Sequence, residues 1–136
     1  MLDASLVVAW CLDEAQTEAT RSVREMLRST HAHAPAIWPL EVSNALLVSE
    51  RRKRITAERI RKFLSSLEDL PIRVDRDGLS YAFGSILEIA RERGTSVYDA
   101  SYIELALRLG FPLATLDERL ATAAERSGVS LLEGSR

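Results

Sequence analysis

Four acidic residues have the type and the placement that a cation-binding or phosphate-cleaving site needs. Each adjoins a predicted strand end or the first turn of a predicted helix, and they are Asp3, Glu41, Asp99 and Asp117. Two carboxylates about 4 Å apart repel each other by about 4 kcal/mol at an effective dielectric constant of about 20, so a cluster of acids normally holds a cation or a proton. Oxygen ligands favour Mg²⁺ or Mn²⁺ over zinc, and such an ion suits phosphodiester hydrolysis by an activated water.

Each acid also has an ordinary structural interpretation. Asp3 and Asp99 suit the N-cap or the first turn of a helix, where the helix dipole favours negative charge. Glu41 suits the first turn of its helix, and Asp117 could cap the helix that follows it. Taken singly, both interpretations stay open for each acid. Four acids at one predicted sheet edge favour a functional site, because ligands of α/β folds gather at the carboxyl ends of the strands.

The elements that must position these acids alternate between short strands and helices. Strands are predicted over residues 1–3, 34–37, 71–74, 112–116 and 129–132. Helices are predicted over residues 5–12, 16–28, 39–53, 56–70, 79–93, 99–109 and 118–127, with Pro39 opening one and Gly94, Gly110 and Gly128 ending three. Because parallel neighbours need crossover helices, this order predicts an α/β sandwich around a short, mostly parallel sheet.

The composition predicts one globular domain over residues 1–136. Of the 136 residues, 46% are hydrophobic and 28% charged, and the net charge of -2 neither indicates nor excludes a nucleic-acid binder. Cys11 is the only cysteine, which excludes an internal disulfide and suits a reducing cytosol. The apolar segment 6–12 is too short to span a membrane and follows no basic segment, so we expect a cytoplasmic protein.

Four motifs in this order resemble the PIN-domain ribonucleases and, among them, the VapC-like toxins of prokaryotic toxin–antitoxin pairs. They are 2-LDAS-5, 38-WPLEVSNAL-46, 97-VYDASY-102 and 114-ATLD-117. Each motif alone is weak, but their order, spacing and placement at strand ends make the set specific. The resemblance covers nearly the whole chain and implies a three-layer PIN-like sandwich in one nuclease domain.

The resemblance also implies the site and its chemistry. The acids Asp3, Glu41, Asp99 and Asp117 would coordinate one or two Mg²⁺ or Mn²⁺ ions for the hydrolysis of RNA. Ser5, Asn44 and Thr115 match polar positions of the family, and we expect them to orient carboxylates or waters without changing the charge of the site. We expect Tyr98, Ala100 and Tyr102 to pack the helix that carries Asp99.

The partners implied by the resemblance are an RNA substrate, a second copy of the chain in a homodimer, and a VapB-like antitoxin. Products would carry a 5′-phosphate and a 3′-hydroxyl. We expect a helical segment of the antitoxin to lie against the helices predicted over 39–53 and 56–70. An arginine of the antitoxin would then reach Glu41 and Asp99 in place of the metal.

Several other residues invite a functional interpretation. The basic run Arg51, Arg52, Lys53 and Arg54 ends a predicted helix, where the dipole favours cations, and an RNA-backbone contact is an equal alternative. We interpret His31 and His33 as surface residues rather than metal ligands, since no third ligand is near. Cys11 is expected to be a small buried hydrophobic residue, and Trp10 and Trp38 are expected in the core or in an interface rather than as platforms for stacked bases.

Two other classes of protein share some of these features with a nuclease. A receiver domain of a signalling system also has carboxylates and Mg²⁺ at strand ends, but it needs a lysine at the end of a later strand. The two lysines here, Lys53 and Lys62, both fall in predicted helices. A catalytically silent PIN-like binding module is the second alternative. The complete set of four acids argues against it, and an RNA cleavage assay distinguishes the two.

Overall fold

Seven α-helices and a set of short parallel strand pairings make up the part of the chain that the computed structural model describes, residues 1–12 and 17–132. The helices are α1 (Ala4–Leu12), α2 (Glu18–Met26), α3 (Trp38–Arg51), α4 (Ala57–Glu68), α5 (Leu87–Arg93), α6 (Val97–Leu109) and α7 (Glu118–Arg126). The strands are β1 (Ala32–Ala34) and β2 (Ile72–Val74), and a 3₁₀ turn (Gly78–Tyr81) and a π turn (Ala82–Ile86) precede α5. Among these residues no helix is long and apolar enough to cross a membrane.

The sheet is parallel throughout, as the alternating order predicted. β1 pairs with β2 in the register Ala32 to Ile72, and Leu2 extends the pairing beyond β1 by donating its N–H to the His33 carbonyl at 2.9 Å. Beyond Leu2, single-residue parallel bridges join Leu2 to Ala114 and Leu113 to Leu131. The carboxyl ends of these pairings therefore lie at one edge.

Three of the predicted strands are much shorter than expected. The segments 1–3, 112–116 and 129–132 contribute only isolated bridges. The strand predicted over 34–37 is instead β1, which ends at Ala34, because Trp38 donates its N–H to the Pro35 carbonyl and so begins the turn into α3. Side-chain pattern locates a strand, but its length depends on which neighbours offer backbone partners.

Within residues 1–12 and 17–132 the predicted helices are confirmed in number and order, with two corrections. The first residue of the helix predicted over 16–28, Gln16, lies outside the described residues. The helix predicted over 79–93 is broken, since Gly84 has non-helical dihedral angles (φ -114°, ψ -111°) and only Leu87–Arg93 is α-helical. The helix predicted from Asp99 begins two residues earlier, because the Ser96 hydroxyl accepts the Asp99 N–H at 3.0 Å and caps it.

Two helices pass through the core and carry acids of interest at their starts. In α1, Leu6 and Val7 are fully buried, and this helix packs against α3. In α6, Tyr102 and Ile103 are fully buried, together with most of the following turn. Since a buried helix cannot shift without opening cavities, α1 and α6 fix the positions of the residues at their N-termini.

The packing predictions are confirmed except for one residue. Cys11 is buried in the core, Trp38 is 6% exposed, and the Trp10 indole N–H donates to the Thr20 carbonyl at 2.9 Å. Tyr98 was expected to pack α6, but its side chain is 57% exposed. It occupies the outer face of the first turn, so the helix is held by the other inward-facing residues.

The cap of α6 gives a prediction about stability. Replacing Ser96 by alanine leaves the Asp99 N–H without its acceptor, and N-cap losses of this kind cost about 1 kcal/mol. We expect Ser96→Ala to lower the free energy of unfolding in urea by about this amount. The control is Ser65→Ala, at an exposed interior position of α4, where alanine is the better helix former and stability should be unchanged or slightly raised. Equal effects of the two changes would contradict the capping role.

Candidate functional site

All four predicted acids line one open groove with a volume of about 580 Å³. They reach it from the end of the Leu2 pairing, from the first turns of α3 and α6, and from the residue before α7, and they are Asp3, Glu41, Asp99 and Asp117. The groove lies at the carboxyl edge of the parallel pairings, where the sequence predicted a site. Its apolar part is lined mainly by α1, with Ala45 of α3 and Leu116.

Asp3 is the most buried of these acids, with 7% of its surface exposed. The Ser5 hydroxyl donates to Asp3 Oδ2 at 2.5 Å, and the Thr115 hydroxyl donates to the same oxygen at 2.7 Å. Burial raises the pKa of Asp3, and these hydrogen bonds offset part of the rise. The carboxylate is therefore held in one orientation at a cost in desolvation.

Ser5 and Thr115 also bind the loop that brings Asp117 to the groove. The Leu116 N–H donates to the Ser5 hydroxyl at 3.0 Å, and the Asp117 N–H donates to the Thr115 hydroxyl at 3.0 Å. Two small hydroxyl residues thus connect Asp3 and Asp117, the first and the last of the four acids in the sequence. This is the placement that their proposed role, orienting the site, requires.

Glu41 is half-buried, and its main contact was not foreseen in the sequence. The Tyr102 hydroxyl donates to Glu41 Oε2 at 2.5 Å. Burial is the largest cause that raises the pKa of Glu41, and the charges of Asp3 and Asp99 raise it further, while the Tyr102 hydrogen bond lowers it. Glu41 therefore lies close enough to Asp3 and Asp99 for their charges to disfavour its ionised form.

The other two acids are held by local contacts at helix starts. Asp99 accepts a hydrogen bond of 2.8 Å from the Thr95 hydroxyl. Asp117 is exposed, and its Oδ1 accepts the N–H groups of Arg119 at 2.8 Å and Leu120 at 3.1 Å. Asp117 is therefore the N-cap of α7, so its ordinary structural interpretation holds alongside its place in the groove.

The remaining predicted residues divide into one that reaches the groove and several that do not. Asn44 lines the groove one helical turn after Glu41 and is exposed. All four residues of the basic run 51–54 are exposed at the end of α3, and none of them lines the groove. Of the two histidines predicted at the surface, His31 is exposed and His33, on β1, is partly buried; both line a separate, mainly apolar cavity of about 520 Å³.

The donor set of the groove fits a hard divalent cation. Carboxylate, hydroxyl and amide oxygens line it, and no histidine or cysteine is among its lining residues. Such oxygen donors suit Mg²⁺ or Mn²⁺ and not zinc. Within residues 1–12 and 17–132, however, no three acidic, histidine or cysteine side chains are arranged so that they could hold an ion as they stand. Each carboxylate is instead bound to a neighbouring protein donor.

The fold and this groove together define the class of protein. Parallel strand ends, buried helices and four acids with supporting hydroxyls form one groove lined by oxygen donors, and the sequence pattern of the PIN domain matches residues 1–126. The chain belongs to the PIN-domain family.

Similarity to individual proteins narrows the class. Over 125 residues the chain is 37% identical to Ribonuclease VapC3 of Mycobacterium tuberculosis, covering 90% of this chain and 85% of the relative. It is 30% identical over 125 residues to Ribonuclease VapC9 of the same organism, with 92% and 91% covered. It is also 26% identical over 121 residues to Ribonuclease VapC3 of Pyrobaculum aerophilum, with 89% and 91% covered. Within the PIN domains, the chain is VapC-like.

The raised pKa of Glu41 gives a prediction about stability and pH. Because the carboxyl group has a higher pKa in the folded protein than its ordinary value of 4.5, its negative charge opposes folding once the pH exceeds that value. Glu41→Gln keeps an acceptor for the Tyr102 hydroxyl but removes the charge. We expect this variant to unfold at higher urea concentration than the wild type near pH 7, in the presence of a chelator.

The gain should shrink as the pH falls toward 4.5, where Glu41 of the wild type becomes protonated in both states. The control is Glu68→Gln, at an exposed position in the last turn of α4, which should change stability little at any pH. A loss of stability in Glu41→Gln near neutral pH would show that the carboxylate is favourably paired, contrary to this account.

Proposed function

We infer that the chain is an endoribonuclease that hydrolyses phosphodiester bonds of RNA, as the toxin of a VapBC-like toxin–antitoxin pair. The observation that carries this conclusion is the convergence of four acids on one groove, in a chain 37% identical over 90% of its length to a protein named Ribonuclease VapC3. The other relatives described above are also named ribonucleases. A receiver domain is excluded by the PIN-domain match.

VapC-like PIN nucleases are generally dependent on a divalent metal, and we propose Mg²⁺ or Mn²⁺ as the ion of this chain. The oxygen-only lining of the groove supports this choice. When bound, such an ion lowers the pKa of a coordinated water and offsets negative charge on the phosphate. We assign Asp3, Glu41, Asp99 and Asp117 as the residues that would hold it.

The residues around the acids would fix where each carboxylate points. Ser5 and Thr115 hold one oxygen of Asp3, and Tyr102 holds one oxygen of Glu41. Asn44, exposed in the groove, is free to orient a water or the substrate, since its amide has no hydrogen-bond partner in the described part of the chain. Preorganised carboxylates lower the cost of assembling the site when the ion and RNA bind.

The catalytic assignment predicts the effect of removing one charge. Asp99→Asn keeps the size of the side chain and an acceptor for Thr95, but it removes a negative charge from the groove. We expect RNA cleavage to fall by about 100-fold or more, beyond the roughly 10- to 100-fold losses typical of groups that only support a metal ligand. Cleavage of end-labelled RNA, followed with Mg²⁺, with Mn²⁺ and with a chelator, measures this.

The matched control is Asp69→Asn at an exposed position after α4, which should cleave as the wild type does. Mapping of the product ends checks the reaction, with a 5′-phosphate and a 3′-hydroxyl expected. If purified wild-type protein binds RNA but cleaves none with either ion, the alternative of a catalytically silent PIN-like module is favoured. Wild-type activity in Asp99→Asn would remove this residue from the site.

We also propose that a VapB-like antitoxin inhibits the chain by covering the acid groove. A helical segment of the antitoxin would lie on the apolar part of the groove, formed by α1 and by Ala45 of α3, and an arginine would enter toward Glu41 and Asp99. This surface differs from the one predicted from the sequence, because α4, which corresponds to the helix predicted over 56–70, does not line the groove. Val8 and Leu12 are partly exposed at that wall, which supports apolar anchoring. A guanidinium pairs well with carboxylates, so it would compete with the metal.

This mode predicts that inhibition has two separable parts. Truncating the apolar residues of the antitoxin should raise its dissociation rate, because those contacts supply most of the affinity. Replacing its entering arginine by glutamine should leave binding measurable but restore part of the RNA cleavage. Surface plasmon resonance and the cleavage assay measure the two parts. A structure of the toxin–antitoxin complex in which the acid groove is open to solvent would refute this mode of inhibition without affecting the nuclease assignment.

A homodimer in the cytoplasm completes the proposal. The segment 78–87 exposes several large apolar side chains, among them Phe83 at 97% and Leu79 at 69%. Exposed apolar side chains so close in the chain support a protein contact there. Sedimentation of the purified chain distinguishes a monomer from a dimer. The basic run 51–54 stays a second, untested candidate for contact with RNA.

A further inference from the structure

A second polar groove adjoins the acid groove and has not been assigned any role. Its volume is also about 580 Å³, and it is lined by the end of α5, the start of α6 and one face of α7. Asp99 lines both grooves, so they meet at this carboxylate. An RNA strand bound across the four acids would therefore continue into this second groove.

Three arginines line the second groove, and two of them have no ion-pair partner among the residues that the structure describes. Arg119 and Arg126 are exposed, seven residues apart on α7, which places them on one face about 10 Å apart along the helix. Neither has a salt bridge within residues 1–12 and 17–132. Arg93 is held at the wall, since its Nε donates to the Ser127 hydroxyl at 3.0 Å. Its nearest acid, Glu92, is 4.0 Å away.

The charge of this groove contrasts with that of its surroundings. The chain as a whole carries a net charge of -2, and the neighbouring groove presents four carboxylates. Against the three arginines, the second groove has Glu118 and the shared Asp99. A phosphodiester that enters the acid groove is repelled by the carboxylates that a bound ion does not neutralise. The flanking phosphates must therefore gain their favourable contacts elsewhere, and the arginines are placed to supply them.

We propose that this arginine groove binds the phosphates of single-stranded RNA next to the bond that is cleaved. The proposal rests on the ribonuclease function inferred above. Guanidinium groups pair with phosphate oxygens through two parallel hydrogen bonds, and contacts of this kind set the path and register of a strand without reading its bases. Arg119 and Arg126, about 10 Å apart, can contact more than one phosphate of the strand.

The salt dependence of RNA binding tests this directly. The double variant Arg119→Gln/Arg126→Gln is compared with its parent, both carrying Asp3→Asn to suppress cleavage, by fluorescence anisotropy with an oligouridylate of about 15 nucleotides. Each lost phosphate contact lowers the slope of log Kd against log salt by about 0.7 for single strands, so a decrease of about 1.4 is expected. This corresponds to about 25-fold weaker binding at about 0.1 M salt.

The matched control is Arg21→Gln/Arg24→Gln on α2, which removes the same charge from exposed arginines that line neither groove. It should leave the slope nearly unchanged. Equal slopes for the groove variant and the control would overturn the proposal. So would a groove variant that binds RNA normally but loses affinity for the antitoxin, since the groove would then be a protein-binding surface.

The outcome is separable from that of the cleavage assay. If the wild type cleaves RNA while the groove variant keeps the salt dependence of its parent, the nuclease assignment stands and the role proposed for the arginine groove is rejected. If the wild type cleaves no RNA but the groove variant loses slope, the groove binds RNA and the catalytic assignment is rejected. The RNA is checked on a denaturing gel after each titration, and circular dichroism verifies the fold of each variant.

Discussion

The cost of keeping carboxylates charged at the buried edge of the sheet is the constraint on which the rest of the site depends. Asp3 is nearly buried and Glu41 half-buried, and burial raises the pKa of both. The protein meets this cost with hydroxyl donors rather than with basic side chains, since the bonds to Asp3 and Glu41 come from Ser5, Thr115 and Tyr102. Neutral donors orient a carboxylate without cancelling its charge, so the groove keeps the negative charge that the proposed divalent cation needs. A site filled with lysine or arginine partners would be more stable but would bind metal poorly.

Helix α6 connects this constraint with the core. Its cap residue Ser96 sets where the helix starts, and its first turn carries Asp99 into the groove. Its buried Tyr102 donates a hydrogen bond to Glu41. The same first turn borders the arginine groove. A change that loosens α6 therefore disturbs an acid, the support of a second acid and the proposed path of the RNA together. Stability and activity should be closely linked at this helix, whereas they should be separable on α4, which lines neither groove.

The sequence allowed the order of elements and the placement of the acids to be predicted, because apolar periodicity and acids at strand ends are local signals. Strand lengths were not predictable, since the bridges of Leu2 and Leu131 depend on backbone partners far along the chain. The support of Glu41 by Tyr102, 61 positions away, was missed for the same reason. The local sequence around a buried tyrosine does not indicate that its hydroxyl binds a distant carboxylate. The opposite error occurred at Tyr98, where an apolar ring beside a buried turn proved to be exposed. The extent of the single domain, residues 1–136, stays a prediction.

The central claim, that these acids form one divalent-metal site, is tested most directly by the effect of Mn²⁺ on thermal unfolding. An ion that binds only the folded protein raises its stability by RT ln(1 + [L]/Kd), about 2.7 kcal/mol at a concentration 100 times the Kd. We expect millimolar Mn²⁺ to raise the Tm of the wild type and of Asp69→Asn alike, and to leave the Tm of Asp3→Asn almost unchanged. An equal rise in all three proteins, or no rise in the folded wild type, would contradict the claim.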